Sequence, residues 1–246
     1  MLIEACIDDP LSARNAIAGG ADRLELCDNL GDGGTTPSHG MVSVLLGTSA
    51  VPIFPILRVR GGGFRYDDAE LRVMAADAAH FAAMGVTGMV FGALTERGTI
   101  DHDAVRRIRD AAPDAELTFH RAFDACRDPY GALDELVELG VRRILTSGQR
   151  ARAWEGRDLI AELVRRAGDR IVVMAGGGIS EQDAADLVRA TGVREIHIRA
   201  TMIVRDAPAW ESWSQVPLRK ALPGDEYARL VTDPQRVAAI RGSLGG

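Results

Sequence analysis

Two spacings of apolar positions alternate along the chain. Short runs at 2–6, 23–27, 53–58, 88–91, 116–119, 143–146, 171–174 and 195–198 read as strands. Between them, the stretches 10–18, 38–46, 67–84, 102–110, 129–139, 157–167 and 181–190 read as helices, and 233–240 follows as an eighth. Several helix starts carry their own signal. Asp9-Pro10, Asp128-Pro129 and Asp233-Pro234 each supply an N-cap and a first-turn proline, and Ser180 precedes Glu181 in the capping role. Gly85, Gly140, Gly168 and Gly192 stand where helices end before the next strand.

Strands separated by helices require parallel pairing with right-handed crossovers. A doubly wound open sheet obeys the same grammar. Eight strands and a final helix favour closure instead. The expectation is an α/β fold, a single (β/α)8 TIM-type barrel over residues 1–246 with the C-terminal helix closing the barrel. Residues 205–224, with Pro208, Trp210, Trp213, Pro217 and Pro223, read as an irregular excursion before that helix.

Composition changes this picture little. Of 246 residues, 46% are hydrophobic and 26% charged, which supplies ample core for a soluble domain. The net charge of −6 argues against nucleic acid or an anionic membrane surface as partner. The first twenty residues lack the basic and apolar regions of a signal peptide, and no apolar run approaches the ~20 residues of a membrane span. Cys6, Cys27 and Cys126 are odd in number and show no CxxC spacing, which fits a reducing, cytoplasmic location. Lys220 is the only lysine, so a Schiff-base mechanism at a strand end is nearly excluded.

Strand polarity carries more information. Strands covered on both faces should be continuously apolar. In Arg23-Leu24-Glu25-Leu26-Cys27 the two leucines share one face, which places Arg23, Glu25 and Cys27 inside the barrel. The same parity groups Glu4 with Cys6, Arg58 with Arg60, Thr118 with His120, and Glu195 with His197. Five polar strand faces describe one shared cavity, because buried charge is costly unless it is paired or serves a ligand. Cys27, Arg58, Arg60, His120, Arg121, Asp124, Ser147 and His197 fall at or just past strand C-termini, where barrel chemistry collects. The alternative is that Arg23–Glu25 and Arg121–Asp124 are ion pairs that only stabilise the barrel. Gly176, Gly177 and Gly178 follow the seventh strand and suggest either an anion cradle at a helix start or a tight turn needing positive φ. Gly61-Gly62-Gly63 reads as a flexible loop. Cys6 and Cys27 lie at equivalent heights on neighbouring strands, where two sulfurs would suit Cu(I) or simply fill space.

The segments Arg23-Leu-Glu-Leu-Cys27, Gly33-Gly-Thr-Thr-Pro-Ser38, Arg58-Val-Arg60, Thr118-Phe-His-Arg-Ala-Phe-Asp124, Thr146-Ser-Gly148 and Gly176–Gly178 closely resemble the CutC family of copper homeostasis proteins, in order over roughly residues 1–202. The resemblance implies a TIM-type barrel, a cytoplasmic location, homo-oligomerisation, and copper homeostasis or copper binding. Three positions depart from the family pattern. Val59 replaces a proline between the arginines, Gly63 stands where the family has Asp, and Ile198-Arg199 follows His197 where the family places a serine.

Three functions are therefore expected in competition. The first is copper handling, with Cu(I) on Cys6 and Cys27. The second is an enzyme acting on a small anionic or phosphorylated metabolite by acid/base chemistry. There Glu25, His120, Asp124 and His197 would be the catalytic groups, and Arg23, Arg58, Arg60, Arg121, Ser147 and Gly176–Gly178 would bind the anion. The third is a scaffold that has kept the barrel without chemistry.

Overall fold

The computed structural model describes residues 1–205 and 227–245. Eight strands, β1 (Leu2–Ile7), β2 (Arg23–Leu26), β3 (Ile53–Leu57), β4 (Gly88–Phe91), β5 (Glu116–Phe119), β6 (Arg143–Thr146), β7 (Val172–Gly176) and β8 (Glu195–Ile198), close into a barrel in sequence order. Every neighbour in it is parallel, including the closing pair, where Leu2 stands beside Glu195 and Glu4 beside His197. The outer layer is α1 (Pro10–Ala18), α2 (His39–Thr48), α3 (Asp68–Ala83), α4 (His102–Ala111), α5 (Pro129–Glu138), α6 (Arg157–Ala167), α7 (Ala184–Thr191) and α8 (Pro234–Ser243). The barrel is closed, as the strand count favours.

The caps follow from local chemistry. Asp9 accepts from the Leu11 and Ser12 amides, Asp128 from Tyr130 and Gly131, and Asp233 from Gln235. Asp67 and Glu70 form a reciprocal capping box on α3. One expected start is wrong. The helix placed at Glu181 begins at Ala184, because Ser180 donates both its N–H (2.7 Å) and its hydroxyl (2.9 Å) to Asp183 and holds a turn there.

Parity sorts the strand residues. Ile3, Ala5, Ile7, Leu24 and Leu26 face the helices in the main core, each large one contributing roughly 1.5–3 kcal/mol by burial. Cys6, Cys27, Phe54, Ile56 and Val90 form a separate apolar cluster inside the barrel. Gly88 makes room for it, since a Cβ there would lie 2.2 Å from the Phe54 ring.

An antiparallel ribbon of β9 (Thr201–Arg205) and β10 (Ala228–Thr232) was not expected. Its first strand begins so soon after β8 that it reads as part of it. Asn15 Nδ2 on α1 donates to the Thr232 carbonyl, and Ser12 Oγ accepts from the Thr232 amide, fixing the ribbon to the barrel. Beyond Arg205, the expected excursion at 205–224 lies outside the described residues.

Candidate functional site

The barrel interior is polar at two heights. The lower layer is an ion network. Arg23 Nε meets Glu4 Oε2 at 2.5 Å and its Nη2 meets Glu195 Oε2 at 2.6 Å. Arg143 Nε meets the same Glu195 oxygen at 2.6 Å, and Arg143 Nη1 donates to Thr118 Oγ1 at 3.1 Å. Both guanidiniums stack on Phe54, with Cζ 5.0 and 5.8 Å from the ring centroid. Arg23 is thus fully engaged by carboxylates of the protein. Its assignment to ligand anion binding is corrected to an internal ion pair, and the partner is Glu4 and Glu195, not Glu25.

Above this layer sit Cys6, Glu25, Cys27 and His197. The register makes Glu25 the lateral neighbour of Cys6 and places His197 beside Glu4. The two sulfurs are 3.8 Å apart. One donor atom each from Cys6, Glu25 and Cys27 lie within 4.8 Å of one another, and all three residues are buried. His197 Nδ1 bonds Glu4 Oε1 at 2.8 Å, while its Nε2 lies 3.7 Å from Glu25 Oε2. A Cβ on Gly176 would fall 3.0 Å from that of His197, so this glycine admits the imidazole.

The electrostatics are asymmetric. The Cys27 thiol, hydrogen-bonded to Cys6, holds the Cys6 thiol well below its ordinary range against the cost of burial, with His197 assisting. Cys27 is pushed up by that same bond and by burial. Burial and the charge on Cys6 push Glu25 upward. Burial alone would lower His197, yet bonds to Cys6 and Glu4 and the charge of Glu25 raise it above the usual histidine range. Burial opposes ionisation of Glu4, but His197 and Arg23 bring it down to about 2. The resulting unit is a pair of sulfurs flanked by an imidazole and a carboxyl, which is a donor set suited to a soft cation.

At the mouth stand Arg58 and His120. Arg58 is 5% exposed. Its Nη1 donates to the carbonyls of Asp32 (3.0 Å) and Gly34 (2.7 Å), and its Nη2 to Gly62 (2.8 Å). It thereby ties the loops after β2 and β3 together. Gly34 also touches the sulfur site, because its φ of +89° brings its Cβ position to 3.1 Å from Cys27 Sγ. His120 Nδ1 accepts the Ala122 amide at 3.1 Å, and its ring packs 5.0 Å from Phe64. Burial first, then Arg58, bring its pKa down to about 3. Burial and Arg58 thus disfavour the imidazolium form of His120, which sequence reasoning named as an acid/base group.

Other expected groups go elsewhere. Arg60 leaves the barrel and pairs with Glu70 at 2.5 Å on α3, because β3 ends at Leu57 and strand parity no longer governs it. Asp124 accepts from Thr146 Oγ1, from the Ser147 amide and hydroxyl, from the Gln149 amide and from Arg121 Nε. With so many donors it anchors the loop after β6. Arg121 also reaches Ser147 Oγ at 2.7 Å, so both belong to that anchor. The expected clamp of Arg58, Arg60 and Arg121 is not assembled. Gly177 (φ +111°) and Gly178 (φ +66°) make a tight turn whose carbonyls accept from Ala153 N and Arg152 Nη2. Since α7 opens only at Ala184, the glycines do not cap a helix start.

Arg143, Phe64 and Tyr66 were not singled out in the sequence. Arg143 shares parity with Leu145 and Ser147, a signal masked by Arg142 beside it, which makes the pair read as a solvated turn.

The chain matches the CutC family over residues 1–202. It is 42% identical over 239 residues to the family protein CutC of Parabacteroides distasonis, covering 97% of this chain and 98% of that one. Over the same length it is 42% identical to the human copper homeostasis protein cutC homolog, covering 97% and 87%. A CutC crystal structure from Streptococcus agalactiae superposes with a TM-score of 0.76 at 34% identity, covering 80% of this chain and 97% of that one. Phosphoribosylanthranilate isomerase of Pyrococcus furiosus shares the fold alone, with a TM-score of 0.56 at 10% identity and coverage of 99% and 98%. With the family match spanning residues 1–202 and relatives 42% identical over nearly its whole length, the chain belongs to the CutC family.

Proposed function

We propose that this protein handles copper by binding Cu(I) between Cys6 and Cys27. The observation that carries the reading is the pair of buried sulfurs 3.8 Å apart with a Glu25 oxygen beside them. Thiolates favour Cu(I) over the harder divalent ions. Cys6 supplies the anionic sulfur and Cys27 the second, its proton leaving when the metal arrives. Glu25, whose carboxyl burial pushes upward, offers an oxygen beside the two sulfurs. The reading is favoured by the names of the relatives, which include copper homeostasis proteins.

The test is a competition titration against a chromophoric Cu(I) chelator in anaerobic, reducing buffer. One Cu(I) per chain is expected. Cys6→Ser and Cys27→Ser should each weaken binding by more than about tenfold, or 1.4 kcal/mol. Cys126→Ser should bind as the parent does, since Cys126 is buried elsewhere with its thiol pushed up to about 12. A parent protein that holds Cu(I) no better than the Cys6→Ser/Cys27→Ser double variant would end this reading.

The cellular setting proposed is the cytoplasm, supported by three free thiols. Among the described residues no helix is long and apolar enough to cross a membrane. We also propose a homo-oligomer, on the family resemblance, with light scattering after size exclusion as the check.

A further inference from the structure

Arg58 differs from the other buried arginines of the barrel. Arg23 and Arg143 each meet carboxylates. Arg58 is as buried, yet among the described residues it has no acidic partner within ion-pair distance. Asp32 reaches it through a backbone carbonyl, not its carboxylate. Its Nε–H is buried with no acceptor. A desolvated guanidinium satisfied only by neutral carbonyls lacks a counter-charge, and an unpaired buried ion is among the costliest arrangements in a protein.

His120 repeats the pattern. With Nδ1 occupied as the acceptor for Ala122 N–H, the neutral ring carries its proton on Nε2. That Nε2 is also buried without a partner. Both side chains pack on Phe64, with Arg58 Cζ 5.4 Å and the His120 ring 5.0 Å from its ring centroid. Tyr66, two residues on, buries a hydroxyl that makes no hydrogen bond of ordinary geometry yet lies near enough to Arg58 to feel its charge. All of these except His120 belong to the segment that follows β3. That segment is pinned over the mouth by Arg58 to the Gly62 carbonyl and by Leu94 N–H to the Phe64 carbonyl at 2.8 Å.

We infer that Arg58 Nε and His120 Nε2, with the Tyr66 hydroxyl, form a subsite at the barrel mouth for the oxygen atoms of a small anion, a carboxylate or a phosphate, covered by the segment from Val59 to Tyr66. The two nitrogens are donors, so the ligand is an acceptor. The arginine is uncompensated, so the ligand is negative. The donor atoms are closed to solvent, so the anion enters when the covering segment lifts, and Gly61-Gly62-Gly63 supplies the freedom to do so. The subsite is separate from the sulfur pair but adjoins it, since Gly34 touches Cys27 Sγ on one side and gives its carbonyl to Arg58 on the other. This goes beyond copper binding. It gives the protein a second ligand, coupled to the first through one residue.

The test uses metal-free protein and the probes acetate, succinate and inorganic phosphate, each titrated by calorimetry and thermal shift against chloride at matched ionic strength. At least one probe should bind saturably and raise the melting temperature above the chloride control, and comparing the arms identifies carboxylate or phosphate as the chemistry. His120→Asn keeps an acceptor for Ala122 N–H and deletes the Nε2 donor, so it should weaken that probe about tenfold while the circular dichroism spectrum stays unchanged. Tyr66→Phe should weaken it less. Arg58→Gln should abolish binding, but it also unties two loops, so His120→Asn carries the decision. The protein is metal-free throughout, which separates this result from the copper titration. If no probe exceeds chloride, or if His120→Asn binds as tightly as the parent, the subsite does not exist.

Discussion

His120 and Asp124 sit four residues apart in one motif, and the structure gives them opposite tasks. The imidazole is buried, uncharged and short of an acceptor; the carboxylate is surrounded by donors. Protonating His120 inside the fold is disfavoured, so the unfolded chain binds that proton more readily than the native one. Stability linked to His120 is therefore complete above about pH 6.5 and declines as acid approaches its folded value of about 3. Denaturant unfolding across that window should show a slope of up to about 1.4 kcal/mol per pH unit from this residue, and His120→Asn should flatten it. An unchanged slope in the variant would place the acid sensitivity elsewhere. The motif was visible in the sequence, but the roles were not. Residue type marks a histidine as an acid or base; only the Ala122 amide on Nδ1 and the Arg58 charge reveal it as a fixed donor. Asp124 was equally opaque, because its donors come from Thr146, Ser147 and Gln149, more than twenty residues away.

At the scale of strands and helices, alternation was a reliable guide wherever a strand persisted. It placed Glu4, Cys6, Arg23, Glu25 and Cys27 inside the barrel correctly. It failed for Arg60, whose strand had already ended, and it missed Arg143, hidden in a double arginine. Capping chemistry was legible too. Asp67→Ala removes one half of the capping box on α3 and should cost about 1 kcal/mol, seen as a melting temperature lower by roughly 2–4 °C. Gly34 is a sterner case. Alanine there must adopt a φ of +89° with its methyl against Cys27 Sγ. Gly34→Ala should lose about 1–3 kcal/mol of stability and weaken Cu(I) binding in the same competition titration. Retention of full copper affinity would show that the sulfur pair tolerates this displacement.

Over the whole molecule, the interior ion network crosses the barrel. Glu4 on β1, Arg23 on β2, Arg143 on β6 and Glu195 on β8 join strands that are remote in sequence but adjoin or face each other once the sheet closes. Replacing Arg23 by Met takes one of the cationic partners from each of two buried carboxylates, Glu4 and Glu195, and should destabilise the fold by about 3–5 kcal/mol, measured by chemical denaturation. A loss below about 1 kcal/mol, the scale of an exposed pair, would mean that the network contributes little to closure. The barrel itself was legible from strand count, whereas the ribbon of β9 and β10 was not, since nothing in its local pattern distinguishes it from a continuation of β8.

That same network, with both guanidiniums against the Phe54 ring, fills the barrel below the sulfur pair. If the proposed Cu(I) sits on Cys6 and Cys27, the side of the pair away from this plug is bordered by Gly34, whose carbonyl Arg58 holds. Arrival and departure would then share that side, and a protein collecting the ion would have to occupy the place its supplier had vacated.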